Sequence, residues 1–156
     1  MGTTLKEILD ITIALIPKDY RSELMEDTDL AAHGLMEMGV ALDLPFVFTE
    51  EKSIDEKSGE ETVVRGISID LSMKEKSLAS YFTYRCYLMR LKDELNRDAI
   101  NFKTLTFEIK GLEKRPEAIN DSIYQINRYL QTEIDRVKGG SSLIGVVSVF
   151  GGGSNA

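Results

Sequence analysis

The pattern of this 156-residue chain predicts an α+β fold that is mostly helical: a bundle of about four helices, a small β-hairpin or three-stranded sheet, and an extended C-terminal tail. Three observations predict it. Two long stretches, Ser72 to Arg97 and Pro116 to Lys138, place apolar residues three and four apart, which puts a stripe along one side of a helix. Shorter helical stretches with start and stop signals come before them. Between the helices lie short runs of alternating apolar and polar residues, the period of a half-buried strand.

The first helix is announced by Thr4-Leu5-Lys6-Glu7, a capping box in which each polar side chain satisfies an orphan backbone donor of the first turn. Leu5, Ile8, Leu9, Thr12, Leu15 and Ile16 follow at helical spacing, and Pro17 stops the helix. Residues 18–27 are mostly charged and read as a linker or a short turn. Asp27, Thr28 or Asp29 then caps a second helix with the stripe Leu30, Gly34, Leu35, Met38 and Leu42. Gly39 is expected to end it by taking the left-handed conformation.

Residues 46–71 read as a hairpin. Pro45 to Thr49 is a short strand, Glu50 to Glu61 an acidic, turn-rich tip, and Thr62 to Leu71 a second strand with Val63, Ile67, Ile69 and Leu71 on its alternation. The acidic tip lacks the regular oxygen-ligand spacing of a calcium loop, so a solvated turn is the simpler reading.

Ser72-Met73-Lys74-Glu75 is a second capping box. It opens the first long helix, whose stripe is Tyr81, Tyr84, Leu88, Leu91 and Leu95, widened by Leu78, Phe82 and Met89. The second long helix starts at Pro116, where a missing N–H costs nothing, and carries Ile119, Ile123, Ile126, Leu130, Ile134 and Val137 up to a stop at Gly139. Matched stripes of similar length predict an antiparallel pair. A second β insertion, residues 101–112, lies between them, with Leu105, Phe107 and Ile109 alternating against Thr104, Thr106, Glu108 and Lys110. It either joins the hairpin sheet or projects to a partner. Residues 1–138 thus form one helical domain, and 139–156 a glycine-rich tail around the strand-forming run Leu143 to Phe150. That run is too short to span a bilayer and suits addition to a sheet edge.

Charge is distributed unevenly. The net charge is −7, with six Lys/Arg against sixteen Asp/Glu in residues 1–72 and thirteen against ten in residues 73–156. An acidic balance argues against a general nucleic-acid coat. The single cysteine, Cys86, excludes an intramolecular disulfide, and the absence of a leader or an 18-residue apolar run predicts a soluble, cytosolic protein without membrane contact.

Motifs for catalysis are missing. Neither GxxxxGK nor GxGxxG occurs, and Cys86 and the sole histidine, His33, fall on separate helices where packing explains them more simply. His33 has no second His or Cys near it in sequence to complete a metal site. No catalytic residue, metal or cofactor is expected. Tyr81, Tyr84, Tyr87 and Tyr124 read as packing or interface residues rather than as a base-stacking platform.

Three stretches resemble one known family. They are Asp27 to Val40, with its acidic cap, helix and glycine turn; the tyrosine-bearing helix Leu78 to Leu91; and the final helix Pro116 to Val137. In order and character they are similar to the head–tail connector (adaptor, or head-completion) proteins of tailed bacteriophages. The chain departs from many relatives in having the strand-like 101–112 where they carry a short Asp-Pro-Pro turn, and in its glycine-flanked tail. The resemblance implies a non-catalytic structural subunit of a neck ring, dodecameric, with portal protein above and a stopper or tail protein below. DNA would pass through the channel without sequence-specific binding, and the protein would reside in the virion after assembly in the host cytoplasm. Candidate partner-interface residues are Leu105, Phe107, Ile109, Ile144, Val146, Val147, Val149 and Phe150; Arg85, Arg90, Arg97 and Arg128 are candidate subunit-interface or channel-lining residues. The alternative is a small acidic cytosolic regulatory protein that binds a basic protein partner.

Overall fold

The computed structural model describes residues 2–17, 27–104 and 115–140. It is α+β and mostly helical: α1 (Leu5–Leu15), α2 (Thr28–Leu42), β1 (Phe48–Ile54), β2 (Glu61–Ile67), α3 (Met73–Thr104) and α4 (Arg115–Gly140). These elements fall into two compact units, Met1–Tyr84 and Arg85–Ala156, with the division inside α3.

In the first unit both predicted capping boxes form. Thr4 Oγ1 accepts from the Glu7 N–H while Glu7 Oε2 accepts from the Thr4 N–H at 2.8 Å, and Ser72 and Glu75 repeat the exchange at the start of α3. Asp27 caps α2, its side chain accepting from the Asp29 N–H at 2.9 Å. The end of α2 differs from expectation. The helix runs through Gly39 to Leu42, and Asp43, not glycine, takes the left-handed conformation (φ 55°). Aspartate tolerates that region through local hydrogen bonding. Gly39 serves close packing instead: a Cβ there would stand 2.6 Å from the Leu44 carbonyl oxygen and 3.2 Å from the Phe46 ring.

β1 and β2 form an antiparallel hairpin in the register Phe48↔Ile67 to Ile54↔Glu61. β1 therefore begins later and extends further than the sequence suggests. Its residues beyond Thr49 are exposed, so backbone pairing rather than a buried face carries Glu50 to Ile54, and no alternation announces them. At the tip, Asp55 accepts from the Lys57 and Ser58 N–H groups at 2.7 and 3.0 Å and Gly59 has φ 73°. The two backbone N–H groups hold the Asp55 carboxyl below its ordinary range. Of the residues expected on the inner alternation of β2, Ile67 and Leu71 are buried, whereas Val63 and Ile69 are exposed.

A second backbone ladder comes from an unexpected place. Residues 2–4 lie along the far side of β2, with Gly2 N–H to Ile67 O at 3.0 Å, Ile67 N–H to Thr3 O at 2.9 Å and Thr3 N–H to Ile69 O at 2.9 Å. Thr3 is fully buried, and its hydroxyl accepts from the Leu71 N–H at 2.8 Å. This ladder ties the start of α1 to the start of α3. The core of the unit is then Leu5, Ile8, Leu9 and Ile16 of α1 and its C-cap, Leu30, Leu35 and Met38 of α2, Ile67 of β2, and Leu78, Ala79 and Phe82 of α3.

Small residues set how closely α3 approaches its neighbours in this unit. Ser80 Oγ donates to the Ile8 carbonyl at 3.3 Å and Thr12 Oγ1 to the Ser80 carbonyl at 3.4 Å, so α1 and α3 meet through short hydroxyl side chains. Both hydroxyls also bond the carbonyl four residues back in their own helix, so each of these two buried donors is satisfied.

In the second unit α3 and α4 are held by Arg85, whose guanidinium donates to Asn127 Oδ1 at 3.2 Å. Tyr87 and Leu88 of α3 and Ile119, Ile126 and Leu130 of α4 are buried. Ile123 and Ile134 are partly covered and Val137 is exposed, so burial along the α4 stripe falls away beyond Leu130. Met89, expected to widen the α3 stripe, is exposed instead. The two helices also differ in length. α3 has 32 residues and α4 has 26, or roughly 48 and 39 Å at 1.5 Å per residue.

The predicted β insertion at 101–112 is corrected at its start: Asn101 to Thr104 are the last turn of α3. The remainder of that insertion, the charged linker at 18–26 and the tail from residue 141 lie outside the described residues. α4 includes Gly139 and Gly140, so Gly139 does not stop it.

Candidate interaction surface

Among the described residues, an exposed apolar surface belongs to α2, β1 and the loop between them. On α2 the residues Leu30, Gly34, Leu35 and Met38 face the core, which leaves Met36 and Val40 on the opposite side, one helical turn apart. Met36 is 55% exposed and Val40 81%. The loop then brings Leu44 and Phe48, each at least 40% exposed, alongside them. Two depressions run into each other here. One, of about 330 Å³, lies between Leu5, Ala32 and Met36 on the helix side and Phe48, Glu50 and Arg65 on the hairpin side. The second, of about 530 Å³, shares Met36 and Phe48 and continues over Val40, Leu44 and Phe46.

The hairpin is fixed over α2 by Arg65, which donates to Asp29 at 2.5 Å. Lys76 plays a similar part at the base of α3: its ammonium reaches Glu7 at 3.2 Å and Asp70 at 3.5 Å with its side chain only 14% exposed. Glu7 is held below the ordinary carboxylate range, first by the Thr4 N–H and then by Lys76; the bond to Glu7 raises the Lys76 ammonium in turn.

The sequence-predicted residues fare differently. Leu105, Phe107, Ile109, Ile144, Val146, Val147, Val149 and Phe150 lie outside the described residues. Of the arginines, Arg97 and Arg128 are exposed, Arg90 is half-buried, and Arg85 is half-buried against Asn127. Arg128 lies with its guanidinium 6.0 Å from the Tyr124 ring, and it lines a shallow depression on α4 with Tyr129 and Arg136. His33 is exposed on α2 and Cys86 buried on α3. Tyr84 and Tyr87 are buried as packing residues, whereas Tyr124 is 64% exposed. No group of three or more His, Cys, Asp or Glu side chains converges among the described residues, and no described helix is long and apolar enough to cross a membrane.

The apolar surface on α2 and β1 did not emerge from periodicity. Its signal was present, however: Met36 and Val40 stand off the buried stripe, and Leu44-Pro45-Phe46-Val47-Phe48 is too apolar to be an ordinary loop. No protein-family model, curated protein or solved structure matches the chain.

Proposed function

We propose that the chain is a non-catalytic structural subunit of a ring in the neck of a tailed bacteriophage, joining the portal to the tail and extending the DNA channel. The observation that supports it best is the contiguous exposed apolar surface over Met36, Val40, Leu44 and Phe48. A patch of this kind on a small domain marks a protein contact. The resemblance of the α2, α3 and α4 sequences to connector proteins supplies the class of assembly, and with it a dodecameric ring between portal and stopper. Subunits meet head-to-tail, since a closed ring uses two different faces, and the acidic surface of residues 1–72 meets the basic residues of 73–138.

One observation favours a second reading. Glu50, Glu51, Asp55, Glu56, Glu60 and Glu61 are all exposed on one hairpin, a surface that suits a regulatory protein binding a basic partner. The reading frames on either side of the coding sequence separate the two. Portal and capsid genes upstream support the ring subunit; cellular regulatory genes there contradict it.

A further inference from the structure

Three properties of the described structure meet at one place. β1 is a sheet edge: it pairs with β2 alone among the described residues. Val47 O accepts from the Ser68 N–H, and the register continues as Phe48↔Ile67, so the odd-numbered residues bond β2. The backbone groups of Phe48, Glu50, Lys52 and Ile54 therefore point away from it. The apolar depressions over Met36, Val40 and Phe48 adjoin the start of this edge. The linings carry Glu50 and Asp43 beside one cation, Arg65, which is already paired with Asp29, so they disfavour an acidic occupant and leave an uncharged one unopposed.

The chain supplies an occupant of matching chemistry. Leu143-Ile144-Gly145-Val146-Val147-Ser148-Val149-Phe150 carries no charge, is rich in β-branched residues, and is flanked by Gly139-Gly140 and Gly151-Gly152-Gly153. Eight residues extend about 26 Å at 3.3 Å each, close to the length of seven-residue β1. An uncharged run of this kind is an aggregation hazard unless an edge receives it. We infer that Leu143–Phe150 of one copy lies on the α2–β1 surface of a second copy, adding a strand along β1 and filling the apolar depressions with alternate side chains.

The inference rests on the ring reading, because copies arranged in a ring each present one acceptor surface and one donor segment. That contact joins two different faces and so propagates around a closed ring. Ser141-Ser142 join the run directly to the end of α4, and this covalent link raises the donor's local concentration at the adjacent copy without adding contacts of its own.

Cross-linking of the full chain tests it, in a Cys86→Ser background whose melting is checked first. Val40→Cys and Val146→Cys are placed in separate preparations, mixed and oxidised. The expected product is a disulfide-linked pair of twice the 17.5-kDa chain mass, formed in the mixture and far less in either preparation alone. A third preparation carries Val40→Cys and Val146→Cys on one chain; a cross-link that forms only within that chain overturns the inference, and so does no cross-link in any preparation. Val40→Asp is the second arm. Val40 is 81% exposed, so the variant melts as the parent does, yet burial of its charge under a docked strand weakens assembly by about tenfold or more. Unchanged assembly contradicts the docking. Rings that form normally without the cross-link overturn this inference alone, whereas cross-linked copies that never close into a ring overturn the ring reading and keep the strand exchange.

Discussion

Gly34 of α2 lies directly against Thr83 of α3. A Cβ built on Gly34 would stand 2.7 Å from the Thr83 backbone nitrogen and closer still to its hydroxyl oxygen. The hydroxyl is committed to the Ala79 carbonyl at 2.9 Å, so it cannot simply rotate away without losing a buried hydrogen bond. The closeness of this helix contact depends on the absence of one methyl group.

Gly34→Ala is accordingly expected to destabilise the first unit despite alanine's better helix propensity. The overpacking costs about 1–3 kcal/mol, outweighing a propensity gain of about 1 kcal/mol. Thermal unfolding should show a melting temperature lower by several degrees. Adding Thr83→Ala removes the hydroxyl but leaves the backbone nitrogen in place, so the double variant recovers only part of the loss. A Gly34→Ala protein as stable as the parent would contradict this geometry.

In the second unit, Leu88 is fully buried on α3 and Ile126 nearly so on α4. Leu88→Asp or Ile126→Asp places an uncompensated charge there and costs several kcal/mol, a large share of a stability of about 5–15 kcal/mol. Val137→Asp at the exposed end of the same stripe should cost little. Denaturant titration of the three variants checks the order.

Glu7 sets an acid limit. Its carboxyl is held below its ordinary value in the fold, so the unfolded chain binds the extra proton first as pH falls. The stability it contributes is complete above its ordinary value of 4.5 and is lost as pH drops through the lower folded value. The site is exposed, which keeps the effect to about 1 kcal/mol or less. Glu7→Gln should flatten the pH dependence of unfolding below pH 4.5, and Lys76→Met should do so only in part, because the Thr4 cap remains.

The two classes of arginine separate fold from assembly. Arg85 is bonded to Asn127 within its unit, so Arg85→Glu acts on stability. Arg97 and Arg128 are exposed, and reversing them to Glu should leave melting unchanged while weakening head-to-tail association. If the exposed arginines instead line the channel, sedimentation across a salt series will show assembly indifferent to both salt and the substitutions.

Helix starts were legible because their chemistry is local: Thr4 with Glu7, Asp27, and Ser72 with Glu75 all cap as their spacing implies. The stops were less so. Gly39 looked like a terminator but answers to tertiary packing against Phe46, and Asp43 took the turn. The outer half of β1 was illegible because both its faces are exposed, leaving only backbone pairing to define it. The ladder of residues 2–4 on β2 joins positions more than sixty apart, and nothing in a three-residue stretch of Gly and Thr announces it. The parts of the apolar α2–β1 surface were visible in the sequence, in Met36, Val40 and the apolar loop from Leu44, but only the fold brings Met36 and Phe48 together.

Whether this chain is a ring-forming subunit is read from the mass of the purified 156-residue chain in solution. Sedimentation velocity, with negative-stain images of the same sample, reads both mass and symmetry. Twelve copies of the 17.5-kDa chain should give a closed particle of about 210 kDa with a central channel. A 17.5-kDa monomer at every concentration and salt tested would contradict it.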